Sequence, residues 1–197
     1  MANRPLDTGL LDRAITFSVN AHAGTERRGK GYPYIVHPAE AMAITATMTS
    51  DQELLAAAVL HDTIEDTCVT LEQIREQFGE RVAALVEAET DVRQEGLSDE
   101  ESWRTRKRMT LERLAKAPRE VKMVAMGDKL SNMRAIARDY TTLGEAFWDL
   151  FHVKEKSAQA WYYTGLAKAL EDLADTYAYQ EFDYLVKRIF VNQDGSA

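Results

Sequence analysis

The chain has a single cysteine, Cys68, and only four prolines in 197 residues. One thiol excludes an intrachain disulfide framework. No apolar run approaches the roughly 20 residues that a membrane-spanning helix needs, and the start, MANRPLDTGLLDR, lacks the apolar stretch of a secretory signal. A reducing cytoplasm is the expected compartment. Positive charge is also in short supply, with 24 Lys and Arg against 32 Asp and Glu, a formal charge of −8 and a pI near 5.1. That balance opposes broad, sequence-independent binding to DNA, RNA or an anionic membrane surface. An anionic small molecule would need a local cationic pocket or a metal. Sustained period-two alternation is missing as well, which argues against a half-buried sheet.

What the chain does have is helical periodicity. Apolar residues recur at helix spacing at Leu10, Leu11, Ala14 and Phe17, again at Leu71, Ile74 and Phe78, and again at Val121, Val124 and Leu130. Ser50 with Glu53 and Thr70 with Gln73 match the capping-box pattern, so the helix leading to His61 is expected to begin near Asp51. Gly24 to Pro38, GTERRGKGYPYIVHP, reads as an ordered loop, with Pro38 in the first turn of the next helix and His37 at the junction. The polar, aperiodic stretch Asp91 to Thr105 separates a helix ending near Glu89 from one starting around Lys107 and is a candidate flap. From Leu143 to Val191 helical spacing returns with many aromatics, among them Phe147, Trp148, Trp161, Tyr162 and Phe182, read as core and cover. The expectation is an all-α helical bundle, a single domain over residues 1–197 with its core at about 8–140 and C-terminal helices at about 143–191.

Chemistry concentrates in LHDTIEDT, Leu60 to Thr67. If this stretch is one helix, His61 stacks with Glu65 and Asp62 with Asp66, four apart on one face. His37, the His61-Asp62 doublet and Asp128 follow the spacing H-x23-HD-x65-D, each on or beside a different expected helix. That is the signature of an HD-domain metal site, in which two imidazoles and two carboxylates hold one divalent ion in a bundle core. Nitrogen and oxygen ligands without a thiolate allow Mn²⁺, Fe²⁺, Co²⁺ or Zn²⁺.

Three strings, RRGKGYPYIVHP (Arg27 to Pro38), AAAVLHDTIEDT (Ala56 to Thr67) and VAMGDKLSNMRAI (Val124 to Ile136), resemble the hydrolase domain of the Rel/Spo enzymes, which remove the 3′-pyrophosphate of the alarmone (p)ppGpp. More specifically the chain looks like a stand-alone small alarmone hydrolase, and the resemblance covers about residues 8 to 140. It implies that His37, His61, Asp62 and Asp128 bind the metal, typically Mn²⁺. Glu65 and Asp66 match the catalytic acidic pair, which would take a proton from the attacking water. Arg28 and Lys30 match the region where basic side chains pack on the nucleotide, and Asn132 matches a nucleotide-contacting asparagine. The implied partner is a guanine nucleotide alarmone. The resemblance implies hydrolysis without synthesis, and it leaves room for a homo-oligomer. Two departures bear on base selectivity: Gly127 stands where an alanine is usual, and Ala135 where some relatives carry a threonine.

Two other readings keep the fold. One is an HD phosphohydrolase acting on another nucleotide, such as the 2′-phosphate of NADPH, and the other a catalytically silent nucleotide-binding HD domain. The basic run Arg104, Arg106, Lys107 and Arg108 is a further candidate for pyrophosphate contact. His22 is expected to pack or brace the basic loop, His152 to sit on a helix surface or in the core, and Cys68 to be buried and inert.

Overall fold

Asp51, Thr70 and Thr176 each start a helix by accepting a first-turn amide on a side-chain oxygen. The computed structural model describes residues 7–90, 99–151 and 153–191. Among these, the regular structure is helical apart from one isolated antiparallel bridge between Glu26 and Pro33, so the expected all-α class holds. In chain order the α-helices are α1 (Gly9–Ala21), α2 (Val36–Thr45), α3 (Gln52–Leu60), α4 (Thr63–Asp66), α5 (Leu71–Phe78), α6 (Glu80–Glu89), α7 (Asp99–Lys116), α8 (Arg119–Leu143), α9 (Lys156–Ala169) and α10 (Tyr177–Val186). Tighter 3-10 turns at Gly144–Leu150 and Glu171–Leu173 and a π turn at Lys187–Val191 punctuate the C-terminal part.

Thr70 and Gln73 form the expected capping box, with the Gln73 amide donating to Thr70 Oγ1 at 3.3 Å and the Thr70 amide to Gln73 Oε1 at 2.9 Å. Ser50 does not cap α3. Asp51 does, its Oδ1 accepting from the Glu53 amide at 3.0 Å, while the Glu53 carboxylate is drawn away to Arg81 at 2.6 Å and cannot reach back. A carboxylate is the stronger acceptor for that orphan amide. Between α5 and α6, Gly79 at φ 91° turns the chain through a backbone conformation that side chains rarely adopt.

Helix α7 begins at Asp99, well before the expected start near Lys107, so the C-terminal half of the expected flap is helix. Its polar sequence is anchored by Trp103, whose ring lies 6.4 Å from Trp161 and 6.1 Å from Tyr162 on α9. The remaining flap residues, 91–98, and His152 lie outside the described residues. Cys68 is exposed rather than buried, because the short link between α4 and α5 runs over the surface.

Two apolar clusters hold the helices together. Helix α3, QELLAAAVL, is buried at every position from Leu54 to Leu60. An apolar surface all round marks a central element, and α1, α2, α6 and α8 pack around it. Its cluster includes Leu54, Leu60, Ile74, Val82 and Val86. The second cluster joins α8 to α9 and α10 through Leu130, Met133, Leu166, Leu170 and Phe182. Phe147 and Trp148 are buried in it, as read from the sequence. Helices α2 and α8 touch at Gly127: a Cβ there would fall within 2.5 Å of the Ala41 carbonyl oxygen and closer still to Thr45 Oγ1. Glycine is what permits that approach.

Candidate metal centre and cleft

Three core helices deliver the candidate ligands. His37 lies in the first turn of α2, His61 and Asp62 at the end of α3, and Asp128 midway along α8. The helix carrying His61 is not continuous. His61 Nδ1 donates to the Ala58 carbonyl at 2.8 Å and Thr63 Oγ1 to the Leu60 carbonyl at 2.7 Å, so side chains take carbonyls that following amides would use. Helix α3 therefore stops at Leu60, and α4 is a single turn. The Asp66 amide still reaches the Asp62 carbonyl at 2.9 Å, which keeps Asp66 one turn beyond Asp62.

Ligand atoms of His37, His61 and Asp128 all lie within 4.8 Å of one another. His37 Nε2 is 3.1 Å from Asp128 Oδ1 and 3.4 Å from Asp62 Oδ2, and His61 Nε2 is 3.0 Å from Asp62 Oδ2 and 3.6 Å from Asp128 Oδ1. Atoms bound about 2.1 Å from one ion stand roughly 3.0 to 3.4 Å apart, so this spacing suits a shared cation. The donor chemistry fits too. A carbonyl can only accept, so His61 carries a proton on Nδ1 and turns Nε2 toward the carboxylates, where that buried atom has no hydrogen-bond partner.

The charges respond to one another strongly. Burial works to lower the His61 pKa, but the Asp62 and Asp128 carboxylates outweigh it and hold the group well above its ordinary value. Burial works to raise Asp62 and Asp128, yet His61 holds Asp62, and Lys129 with the two histidines holds Asp128, well below the usual carboxylate range. Lys129 bonds Asp128 Oδ2 and stands 3.6 Å from Glu89, a buried carboxylate whose pKa burial pushes up. Tyr34 donates to Asp62 Oδ2 at 2.7 Å, and burial followed by the nearby Asp62 and Asp66 carboxylates raises its phenol.

A cavity of about 330 Å³ opens over this cluster. Glu65 and Asp66 line it beside Asp62 and Asp128. The cations Arg27, Lys107 and Lys129 and the rings of Trp103, Phe151, Tyr162 and Tyr163 complete the lining. Some of the C-terminal aromatics thus serve as cleft wall as well as core. Lys107 lies 5.0 Å over the Tyr162 ring. Asn132 also lines the cavity, donating to Asp128 Oδ1 while accepting from Arg27 Nη2 at 2.5 Å.

The basic loop resolves differently from its sequence reading. Arg27 is the cleft residue, 5.1 Å over the Tyr34 ring, whereas Arg28 is exposed and not part of the lining. Lys30 is ion-paired with Asp139 and also outside the lining. Backbone bonds from the Arg27 amide to Tyr32 and from the Tyr34 amide to Thr25 fold the loop into a narrow hairpin that presents Arg27 and Tyr34 together. Sequence reasoning missed Arg27, Tyr34, Glu89 and Lys129. Tyr34 left a signal, one helical turn before His37. His22 packs as expected, its ring stacked on Tyr34 at 4.8 Å.

Comparison with known proteins shows what the chain and its fold are similar to. The chain is 30% identical over 197 residues to the guanosine-3′,5′-bis(diphosphate) 3′-pyrophosphohydrolase of Aquifex aeolicus (strain VF5), an alignment spanning 98% of this chain and 27% of that protein. The chain thus spans about a quarter of that relative's length. A crystal structure of a Listeria monocytogenes EGD-e protein superposes with a TM-score of 0.68 at 31% identity, covering 82% of this chain and 99% of that one. A metazoan ortholog of SpoT, described as hydrolysing ppGpp and acting in starvation responses, shares the fold with a TM-score of 0.69 at 23% identity, over 95% of this chain and 98% of its own. The HD domain profile matches residues 14–148, a span that holds all four candidate ligands. By that match over most of its length, the chain belongs to the HD-domain family.

Proposed function

We propose that this protein hydrolyses the 3′-pyrophosphate of guanosine alarmones, converting ppGpp or pppGpp to GDP or GTP and pyrophosphate. The observation that carries the reading is the cleft itself: one cavity lined by a His/Asp cluster, two further carboxylates, three cations and several aromatic rings. A purine nucleotide carrying two diphosphate groups calls on all of these. Stacking suits the purine, and guanidinium and ammonium groups suit the phosphates. The likeness to the Aquifex aeolicus pyrophosphohydrolase supports the same substrate class.

In this reading His37, His61, Asp62 and Asp128 hold one divalent ion, and we assign Mn²⁺. When bound, such an ion supplies Lewis acidity, offsetting phosphate charge and making nearby water more acidic. The protein's own residues do the rest. Glu65 and Asp66 take the proton of the attacking water and orient it. A new bond forms from the water oxygen to the phosphorus on the ribose 3′-oxygen, the bond to that 3′-oxygen breaks, and the 3′-oxygen leaves as a hydroxyl by taking up the proton that the acidic pair received from the water. Arg27, braced by Asn132 and Tyr34, lies where it can stack on the base, and Lys107 where it can pair with pyrophosphate. Arg28 and Lys30 act from the rim. The C-terminal helices belong to the same domain, and the enzyme works in the cytoplasm without binding nucleic acid.

The test is pyrophosphate release from ppGpp by purified protein with Mn²⁺ or with chelator, beside an Asp62→Ala control and with NADPH as a competing substrate. Mn²⁺-dependent release that disappears in the variant is the expected result. No release from ppGpp overturns the reading, and phosphate release from NADPH in the same assay would assign a different nucleotide to the site.

A further inference from the structure

His37 is connected to the C-terminal helix α10 by an unbroken series of hydrogen bonds. Its Nδ1 lies 2.8 Å from Ser131 Oγ. The single hydroxyl proton of Ser131 goes to Glu40 Oε2 at 2.8 Å, so the serine oxygen is left to accept from the imidazole. That arrangement puts the His37 proton on Nδ1 and leaves the Nε2 lone pair facing Asp62 and Asp128. Glu40 is held in turn. Its Oε1 accepts from Arg134 Nη1 at 3.1 Å, and Arg134 gives Nε and Nη2 to the two oxygens of Glu181, each at 2.7 Å. Glu181 belongs to α10, Arg134 and Ser131 to α8, and Glu40 and His37 to α2.

Glu40 decides the direction of the series. With no acceptor beyond it, the Ser131 hydroxyl could rotate and donate to Nδ1, which selects the tautomer carrying its proton on Nε2, where it would block a ligand position. We infer that Ser131 and Glu40 are positioning residues that hold His37 in its metal-ligating tautomer, and that Arg134 and Glu181 keep Glu40 in place for that role. The inference rests on the metal site of the proposed function and adds to it a task for α10.

Mn²⁺ titration calorimetry on the full chain tests it without any substrate. The variants are Ser131→Ala, Ser131→Thr, Glu40→Ala and, as a ligand control, Asp62→Ala, each also melted in chelator. Loss of a bond that orients a ligand costs about 10- to 100-fold in metal affinity, which is the drop expected for Ser131→Ala and Glu40→Ala. Ser131→Thr should recover most of it, and chelated melting temperatures should stay within about 2–4 °C of the parent. Glu40 is partly exposed, so Glu40→Ala carries the test even if Ser131→Ala fails to fold. Parent-like Mn²⁺ binding by Ser131→Ala or Glu40→Ala, with binding lost in Asp62→Ala, overturns the positioning role alone. A weakened alanine variant that threonine does not rescue overturns the hydroxyl's part. An unmodified chain that takes up no Mn²⁺ overturns both this inference and the metal site beneath it.

Discussion

Tyr34 Oη donates to Asp62 Oδ2 across 2.7 Å, the same oxygen that faces both candidate histidine ligands. The phenol therefore fixes which oxygen of Asp62 points into the cluster. Tyr34→Phe keeps the ring stacked on His22 but removes that donor. A hydrogen bond to a charged group contributes about 1.5–3 kcal/mol, so kcat/KM for ppGpp should fall by roughly 10- to 100-fold. Steady-state kinetics at saturating Mn²⁺ check it, and an unchanged kcat/KM would remove Tyr34 from the site.

Glu65 and Asp66 line the cavity but are not among the atoms that converge on the cluster. Glu65→Gln and Asp66→Asn should each leave Mn²⁺ affinity within a few-fold of the parent while slowing turnover by about 10²- to 10⁴-fold, the usual contribution of a positioned acid or base. Calorimetry and single-turnover rates separate the two effects. If either variant instead loses metal, that carboxylate is a ligand.

Mn²⁺ uptake should release a proton. In the metal-free chain, burial acts to lower His61, but Asp62 and Asp128 prevail and raise it, so near neutral pH the imidazole carries a proton that an incoming ion must displace. Affinity should then weaken as pH falls. Calorimetry in buffers of different ionisation heat measures the release directly, and a buffer-independent heat would refute it.

The same shifts fix how the metal-free fold responds to pH. A charged His61 stabilises it fully below the ordinary histidine range, and that contribution is lost as pH rises through the raised value. Asp62 and Asp128, both depressed, stabilise it above the ordinary carboxylate range and lose that as pH falls through their lowered values. Chelated protein should therefore melt highest between those limits, as a series of thermal melts across pH would record.

Gly127→Ala places a methyl group against the Ala41 backbone and Thr45 on α2. Overpacking of this kind costs about 1–3 kcal/mol, and the displacement falls next to Asp128. Lower thermal stability in chelator together with weaker Mn²⁺ binding is expected. A variant as stable as its parent would mean that the helices slide apart freely.

The sequence made the helices and the His/Asp cluster legible because both follow local rules. Apolar spacing marks helices, and His37, His61, Asp62 and Asp128 converge as their spacing implied. What escaped depended on partners far along the chain. Glu53 is recruited by Arg81, which moved the cap of α3 from Ser50 to Asp51. Trp103 gains α9 as a surface, which extended α7 into residues that read as loop. Arg27 and Arg28 are chemically alike neighbours, and only the hairpin formed with Tyr32 and Tyr34 separates a cleft residue from an exposed one.

The residues that line the cleft come from different parts of the architecture. His37, Asp62 and Asp128 sit on α2, the end of α3 and α8, which pack on one another, and Glu65 and Asp66 on the single turn α4. Trp103, Lys107, Tyr162 and Tyr163 sit on α7 and α9, which pack on each other. Under the proposed function, the groups assigned to cleavage and much of the surface assigned to the nucleotide are therefore carried by separate helices. Under that proposal, exchanges on α7 and α9 would alter which nucleotide is admitted while leaving the packing of α2, α3 and α8 around the His/Asp cluster in place.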